Sequence, residues 1–200
     1  MITLYHSKGA RSTRSLWLLN ELGLDFELVV LPMNPKELRK PEYLAISPLA
    51  RVPALVDGDL KLFESGAICQ YLCETYDPAG RLWPRPGDPE HAEWLQWVHF
   101  AETVAAHASN LVQQHLIIAE PDRSAVVIKL ETRRLEKAYG VLDDQLRDRD
   151  YVLDRGFTSA DTSVGVSVHL GRNFVPTTEF PKLSAWYDRC AARPAFQKSL

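Results

Sequence analysis

The stretch ISPLARVPALVDGDLKLFESGAI, residues 46–68, decides the fold class of this chain. Two short apolar runs, Pro53 to Val56 and Leu60 to Phe63, are joined by Asp57-Gly58-Asp59, which is a typical hairpin turn. A run of helical periodicity starts near Ser65. The stretch therefore predicts two antiparallel strands followed by a helix.

The residues before this stretch alternate between strand-like and helix-like segments. Ile2 to His6 and Phe26 to Leu31 are β-prone, and Ser12 to Leu22 between them carries leucines at helical spacing. This predicts a βαβ unit with a right-handed crossover, in which Gly23 caps the helix. A second helix is predicted from Pro35 to Ala45. The order βαβαββα indicates an α/β domain with a mixed four-stranded sheet.

A change of composition divides the chain into two domains. Between Asp77 and Pro89 four prolines and two glycines interrupt any regular pattern, which is typical of a linker. After it, apolar residues recur at helical spacing in two long stripes, which predicts an all-α bundle. We therefore predict a first domain of residues 1–78, a linker of residues 79–87 and a helical domain of residues 88–200.

Composition restricts the partners and the compartment. The net charge is -3 and the basic residues are scattered, so neither a nucleic acid nor a membrane surface is expected as a partner. No apolar run approaches the roughly 20 residues that span a bilayer, and the N-terminal residues lack a signal-peptide pattern. Cys69, Cys73 and Cys190 form no metal-ligand spacing, and their odd number fits a reducing compartment. We expect a cytoplasmic protein.

Three motifs, together with this order of elements, resemble the cytosolic glutathione transferase superfamily over the whole chain. The resemblance implies a thioredoxin-like first domain that binds glutathione. In the first motif, Ser47 to Leu55, Pro53 would follow a cis peptide bond, and Val52 would offer its backbone to glutathione as to an added strand. A trans proline on an edge strand is the alternative.

The second motif, residues 64–68, would hold the γ-glutamyl end of glutathione. The Ser65 hydroxyl and the helix N-terminal amides suit its carboxylate, and the Glu64 carboxylate suits its ammonium group. Alternatively, Ser65 is simply the N-cap of the helix. The glutathione-binding residues implied by the resemblance are Arg51, Val52, Pro53, Glu64 and Ser65.

The third motif, Gly156 to Asp161, resembles the start of the core helix in the family's second domain. Thr158 and Asp161 are spaced as a capping box, which satisfies the free N–H groups at a helix start. We therefore predict a structural role for Asp161.

The residue that activates the glutathione thiol is where the sequence departs from the family. Relatives use a Tyr, Ser or Cys near the first helix, but residues 5–14 contain no cysteine, and the usual serine positions fall on Gly9 and Ala10. A disulfide-forming mechanism is therefore disfavoured. We predict that Ser12, at the helix N-terminus, activates the thiol with Arg11 as electrostatic helper.

Other interpretations of this segment remain open. Ser12 could only cap the helix, and Ser7 or Tyr5 could supply the hydroxyl instead. Several basic side chains near the proposed site would suit a tripeptide with two carboxylates, or could simply be solvated. They are Lys8, Arg11, Arg14 and Arg51.

The predicted activity is glutathione S-transfer, in which the thiolate attacks a small, mainly apolar electrophile, as in detoxification. Glutathione is the co-substrate, and we expect neither a metal nor a permanently bound cofactor. The same site could instead support peroxide reduction, ether cleavage or isomerisation. The alternative to an enzyme is a non-catalytic protein of this fold that binds glutathione or serves as a scaffold.

Two further expectations concern surfaces. The resemblance implies a homodimer, to which Leu49 or Phe63 would contribute. The second-substrate pocket would be walled by the first long helix after the linker. Its candidates are Trp97, Phe100, Thr103, Val104 and His107, of which Trp97 and Val104 are better explained as core residues.

Overall fold

The computed structural model describes residues 1–200 and divides into two compact units. The first unit comprises residues 1–87 together with 192–200, and the second comprises residues 88–191. The end of the chain thus belongs to the first unit, whereas the sequence pattern assigned it to the helical domain.

A mixed four-stranded sheet forms the centre of the first unit. Its strand order is β2-β1-β3-β4, with β1 and β2 parallel and the other neighbours antiparallel. Alternate residues of β1 are buried, which gives the sheet its apolar face. The predicted mixed sheet is confirmed. The strands are β1 (Ile2–His6), β2 (Phe26–Val30), β3 (Ala54–Asp57) and β4 (Leu60–Phe63).

Four helices of the first unit accompany this sheet, and one of them differs from the prediction. They are α1 (Ser12–Leu22), α2 (Pro35–Leu38), α3 (Pro41–Leu44) and α4 (Ser65–Tyr76). The single helix predicted from Pro35 to Ala45 is wrong, because it is interrupted at Lys40, whose backbone is extended. Pro41 has no N–H to donate, and its ring disfavours a helical conformation in the residue before it.

The second unit is all-helical, as predicted. Its core is α7, in which nearly every residue is buried, and α7 packs against the long helix α5. Helix α5 continues into one π-helical turn, Gln113–Ile117. No helix of the chain combines the length and the apolar character that crossing a membrane requires. The helices are α5 (His91–Val112), α6 (Ala125–Gln145), α7 (Ser159–Gly171) and α8 (Pro181–Ala191).

The predicted capping box at the start of α7 is formed. The Asp161 carboxylate accepts hydrogen bonds from the Thr158 N–H at 2.8 Å, the Val152 N–H at 3.1 Å and the Trp186 indole N–H at 2.8 Å. Complete burial raises the pKa of Asp161 to about 6, although these donors favour the ionised form. Asp161 therefore joins three segments of the second unit and has a structural role.

The chain ends with a short helix, α9 (Pro194–Gln197), that packs on α1 within the first unit. The Phe196 ring meets the edge of Trp17 at a centroid distance of 4.6 Å. The Arg193 guanidinium donates two hydrogen bonds to the Glu21 carboxylate, at 2.6 and 2.8 Å. The last residues of the chain thereby fix the helix that carries Arg11 and Ser12.

Candidate functional site

A cleft in the first unit brings together the residues that the resemblance implied for glutathione. Its empty space is about 410 Å³ when the space open to solvent is counted. Arg11 lines the cleft beside them, whereas Ser12 does not. The glutathione candidates in its wall are Arg51, Val52, Pro53, Glu64 and Ser65.

The loop before β3 forms one side of the cleft. The Val52–Pro53 peptide bond is cis, as predicted. The carbonyl oxygen of Arg51 accepts two hydrogen bonds, from the Tyr43 hydroxyl at 2.6 Å and the Ser47 hydroxyl at 2.8 Å. Both of these side chains are buried, while the Arg51 side chain is exposed. The backbone of the loop is therefore fixed from the interior.

The start of α4 forms the opposite side. Glu64 occupies the N-cap position with φ +76°, a conformation that non-glycine residues rarely adopt outside functional sites and tight turns. Ser65 is the first helical residue and is buried. Ser65 is therefore not the N-cap of α4, as the alternative interpretation had it, because Glu64 occupies that position.

Arg14 lies behind Ser65. Its guanidinium is buried, and Nη1 donates to Ser65 Oγ at 2.9 Å. The positive charge therefore sits on the protein side of the cleft wall, where a ligand carboxylate at Ser65 would face it. Arg14 was one of four basic residues expected near the site, and nothing in the helical pattern distinguished its inward orientation.

Ser12, the predicted activator, is fully buried. Its hydroxyl lies 2.8 Å from His6 Nδ1 and accepts a hydrogen bond from the Ser7 N–H at 3.1 Å. Burial lowers the pKa of His6, which favours the neutral ring. The N-cap position of α1 belongs to Arg11, so Ser12 does not cap the helix either. Its catalytic role stays a prediction, and its observed contacts hold the turn after β1.

The other hydroxyl candidates, Ser7 and Tyr5, do not line the cleft. Ser7 Oγ donates to the Leu31 carbonyl at 2.6 Å. The Tyr5 ring, on β1, lies 5.4 Å from that of Tyr43. Of the two predicted catalytic residues, Arg11 lines the cleft and Ser12 does not.

The candidates for the second-substrate wall on α5 divide by burial. Trp97 and Val104 are buried core residues, as the stripe indicated. His107 is half-buried, and its Nδ1 lies 2.8 Å from a carboxylate oxygen of the buried Glu131. The Phe100 side chain is partly exposed, and the Thr103 side chain is exposed.

Fold and cleft together define a two-domain protein, with a thioredoxin-like first domain and an all-helical second domain. Two family models match it: the glutathione S-transferase N-terminal domain over residues 1–74 and the C-terminal domain over residues 104–194. The chain therefore belongs to the glutathione S-transferase superfamily.

Individual relatives agree with this assignment. Glutathione S-transferase 3 of Zea mays is 34% identical over 190 residues, which cover 91% of this chain and 85% of that protein. Glutathione S-transferase 2 of Schizosaccharomyces pombe is 33% identical, with 96% and 92% covered. A glutathione transferase of Phanerochaete chrysosporium, solved with oxidised glutathione, has a TM-score of 0.88 at 28% identity and covers 99% of this chain and 94% of that one.

Proposed function

We propose that the protein is a glutathione S-transferase that joins the thiolate of glutathione to a small, mainly apolar electrophile. One observation carries the proposal: a single cleft unites the backbone of Val52 with Glu64 and Ser65. Glutathione is an extended tripeptide with two carboxylates and one ammonium group. The cleft offers complementary groups to the γ-glutamyl end and to the cysteinyl backbone.

The γ-glutamyl end fits the start of α4. Its carboxylate would accept hydrogen bonds from the Ser65 hydroxyl and the first amides of the helix, with the Arg14 charge behind them. The ammonium group would pair with the exposed Glu64 carboxylate. The cysteinyl backbone would pair with Val52, and this places the thiol toward the N-terminus of α1.

Arg11 is the group best placed to lower the pKa of the bound thiol. It lines the cleft and stands at the N-cap of α1, where the helix adds partial positive charge. The Ser12 hydroxyl has a single proton. Two interior acceptors lie within reach of that proton, His6 Nδ1 at 2.8 Å and the Ser7 carbonyl oxygen at 3.3 Å, and Ser12 does not line the cleft.

A homodimer in the cytoplasm completes the proposal. Leu49 and Phe63 are 63% and 41% exposed beside the cleft, and an interface between two copies would cover them. Three buried cysteines that form no disulfide accord with a reducing compartment. Sedimentation at micromolar concentration should give twice the chain mass. A monomer at those concentrations would contradict the dimer.

Calorimetric titration with glutathione, followed by turnover of a chlorodinitrobenzene electrophile, tests the activity. We expect binding and turnover by the wild type, and weakened binding by Ser65→Ala, while Ser184→Ala, outside the first unit, should leave binding unchanged. Parallel assays with a hydroperoxide, an aryl ether and a cis-trans isomerisation substrate compare the other reactions of such a site.

A non-catalytic glutathione-binding protein is the second candidate function. It is favoured by the absence of a hydroxyl or thiol at Gly9 and Ala10 and by the interior contacts of Ser12. Glutathione binding without turnover in any of the four assays would support this candidate over the transferase.

A further inference from the structure

Two buried hydroxyls converge on one carbonyl directly before the peptide that faces the cleft. The Tyr43 hydroxyl and the Ser47 hydroxyl donate to Arg51 O at 2.6 and 2.8 Å. A carbonyl oxygen has two lone pairs, so these two bonds use its full acceptor capacity. The orientation of the peptide group between Arg51 and Val52 is thereby fixed from the interior.

Because that peptide group is planar, fixing Arg51 O also fixes the direction of the Val52 N–H. The bond between Arg51 and Val52 is trans, so its C=O and N–H point in opposite directions. With Arg51 O held on the two hydroxyls, the Val52 N–H points away from them, and Val52 itself lines the cleft together with Ser47 and Arg51. No backbone hydrogen bond within the chain uses this N–H.

We propose that Tyr43, together with Ser47, is a positioning residue for glutathione: it aims the Val52 N–H at the cysteinyl backbone of the ligand. This inference rests on the proposed function. Tyr43 itself lies outside the cleft wall and acts through the peptide group. It thus sets affinity for glutathione without contacting the reacting sulfur.

The surroundings of Tyr43 suit a permanent donor. The side chain is 4% exposed, and its ring packs against Tyr5 on β1, which anchors the hydroxyl to the sheet. Burial raises the pKa of Tyr43 to about 12, so the hydroxyl keeps its proton wherever the protein is folded and active. The backbone adds to the arrangement, because the Ser47 N–H donates to the Tyr43 carbonyl at 2.8 Å.

The loop from Ser47 to Arg51 needs such a restraint. Ala50 has φ +53°, a conformation that alanine adopts rarely. Its N–H donates to the Ser47 carbonyl at 2.9 Å, which closes the turn. Without the hydroxyls on Arg51 O, the peptide group between Arg51 and Val52 could rotate and turn the Val52 N–H away from the ligand.

The test compares Tyr43→Phe, Ser47→Ala and the double variant with the wild-type protein. Each single substitution should raise the dissociation constant for glutathione about 3- to 10-fold, the usual effect of one lost hydrogen bond. In the double variant the dissociation constant should rise by more than the product of the two single-variant factors, because in each single variant the remaining hydroxyl still restrains the carbonyl. The turnover number at saturating glutathione and the Michaelis constant for the electrophile should change less than about twofold.

Tyr71→Phe is the matched control. It removes a tyrosine hydroxyl from the same unit, one that donates to Asp57 at the far end of β3, where Tyr76 also donates. Glutathione affinity should stay at the wild-type value. In NMR spectra, glutathione should shift the Val52 amide resonance in the wild type and in Tyr71→Phe. At equal saturation with glutathione, the shift of this resonance should be smaller in Tyr43→Phe.

Two outcomes would overturn the inference, and they are distinguishable. Wild-type protein that fails to bind glutathione would overturn the proposed function and this inference with it. Wild-type binding that Tyr43→Phe and the double variant leave unchanged would overturn the inference alone. A fall in turnover number without any change in glutathione affinity would also contradict a positioning role.

Discussion

Arg14 on α1 donates from Nη1 to Ser65 Oγ on α4 across 2.9 Å, and both side chains are buried. This bond links the two helices whose N-terminal residues line the cleft. The Ser65 oxygen accepts from Arg14, and a serine hydroxyl also carries one proton of its own that it can donate to a carboxylate. A buried positive charge thus lies behind the hydroxyl that we propose for the γ-glutamyl group.

Replacing Arg14 with methionine should weaken glutathione binding about 10- to 100-fold, since a charge-assisted contribution in a buried setting is lost. Arg14→Lys should recover part of the affinity, because it restores the charge without the planar guanidinium. Calorimetric titration measures both. Arg39→Met, at an exposed position of the same unit, is the control. Wild-type affinity in a folded Arg14→Met variant would contradict the assignment.

The thiol activator is tested by comparing Arg11→Gln with Ser12→Ala. We expect Arg11→Gln to raise the thiol pKa of bound glutathione by about 0.5 to 1, equivalent to about 0.7–1.4 kcal/mol. Ser12→Ala should mainly lower the free energy of unfolding, by about 1–2 kcal/mol, because it removes the partner of His6 and of the Ser7 N–H.

The readouts are thiolate absorbance in the near ultraviolet and chemical denaturation. A thiol pKa that rises in Ser12→Ala and not in Arg11→Gln would reverse the assignment and make Ser12 the activator, as the sequence predicted.

His6 makes stability depend on pH in a defined direction. Burial lowers its pKa from the ordinary value of 6.5, so the unfolded chain binds a proton that the folded chain excludes. The stabilising contribution is complete above about pH 6.5 and is lost as the pH falls through the folded pKa. His6→Asn should therefore flatten the decrease in unfolding free energy on acidification. Urea denaturation at a series of pH values measures the free energy of unfolding of both proteins. If it depends on pH equally in His6→Asn and in the wild type, His6 does not have this role.

The end of the chain should contribute to the stability of the glutathione domain. Phe196 is 1% exposed and packs on Trp17, so Phe196→Ala should cost about 3–5 kcal/mol of unfolding free energy. Glutathione affinity should fall with it, because α9 holds α1. Lys198→Ala, at an exposed neighbouring position, should be neutral. Equal stability of the two variants in thermal unfolding would show that the contact has no such role.

Much of the first unit follows from local signals in the sequence. The hairpin around Gly58, the helix start at Ser65 and the cap at Gly23 are each encoded by neighbouring residues, and each is observed. The capping box at Asp161 follows from local spacing in the same way, whereas the cis bond before Pro53 was expected from the resemblance to the family. Local patterns of this kind need no knowledge of distant contacts.

The features that the sequence did not reveal depend on contacts between distant segments. Arg14 and Ser65 are 51 positions apart, and a basic residue in a helix is usually exposed. His6 turns toward Ser12 only because the strand and the helix meet at that point. The return of Phe196 to the first unit has no signature in periodicity, because α9 is only a single turn.

Activation of the thiol in this cleft is measured by a pH titration of the thiolate in the wild-type complex with glutathione. We expect saturable binding and a thiol pKa clearly below that of free glutathione, because Arg11 and the N-terminus of α1 favour the anion. Bound glutathione whose thiol pKa equals that of the free tripeptide would contradict the claim that this cleft activates it for transfer.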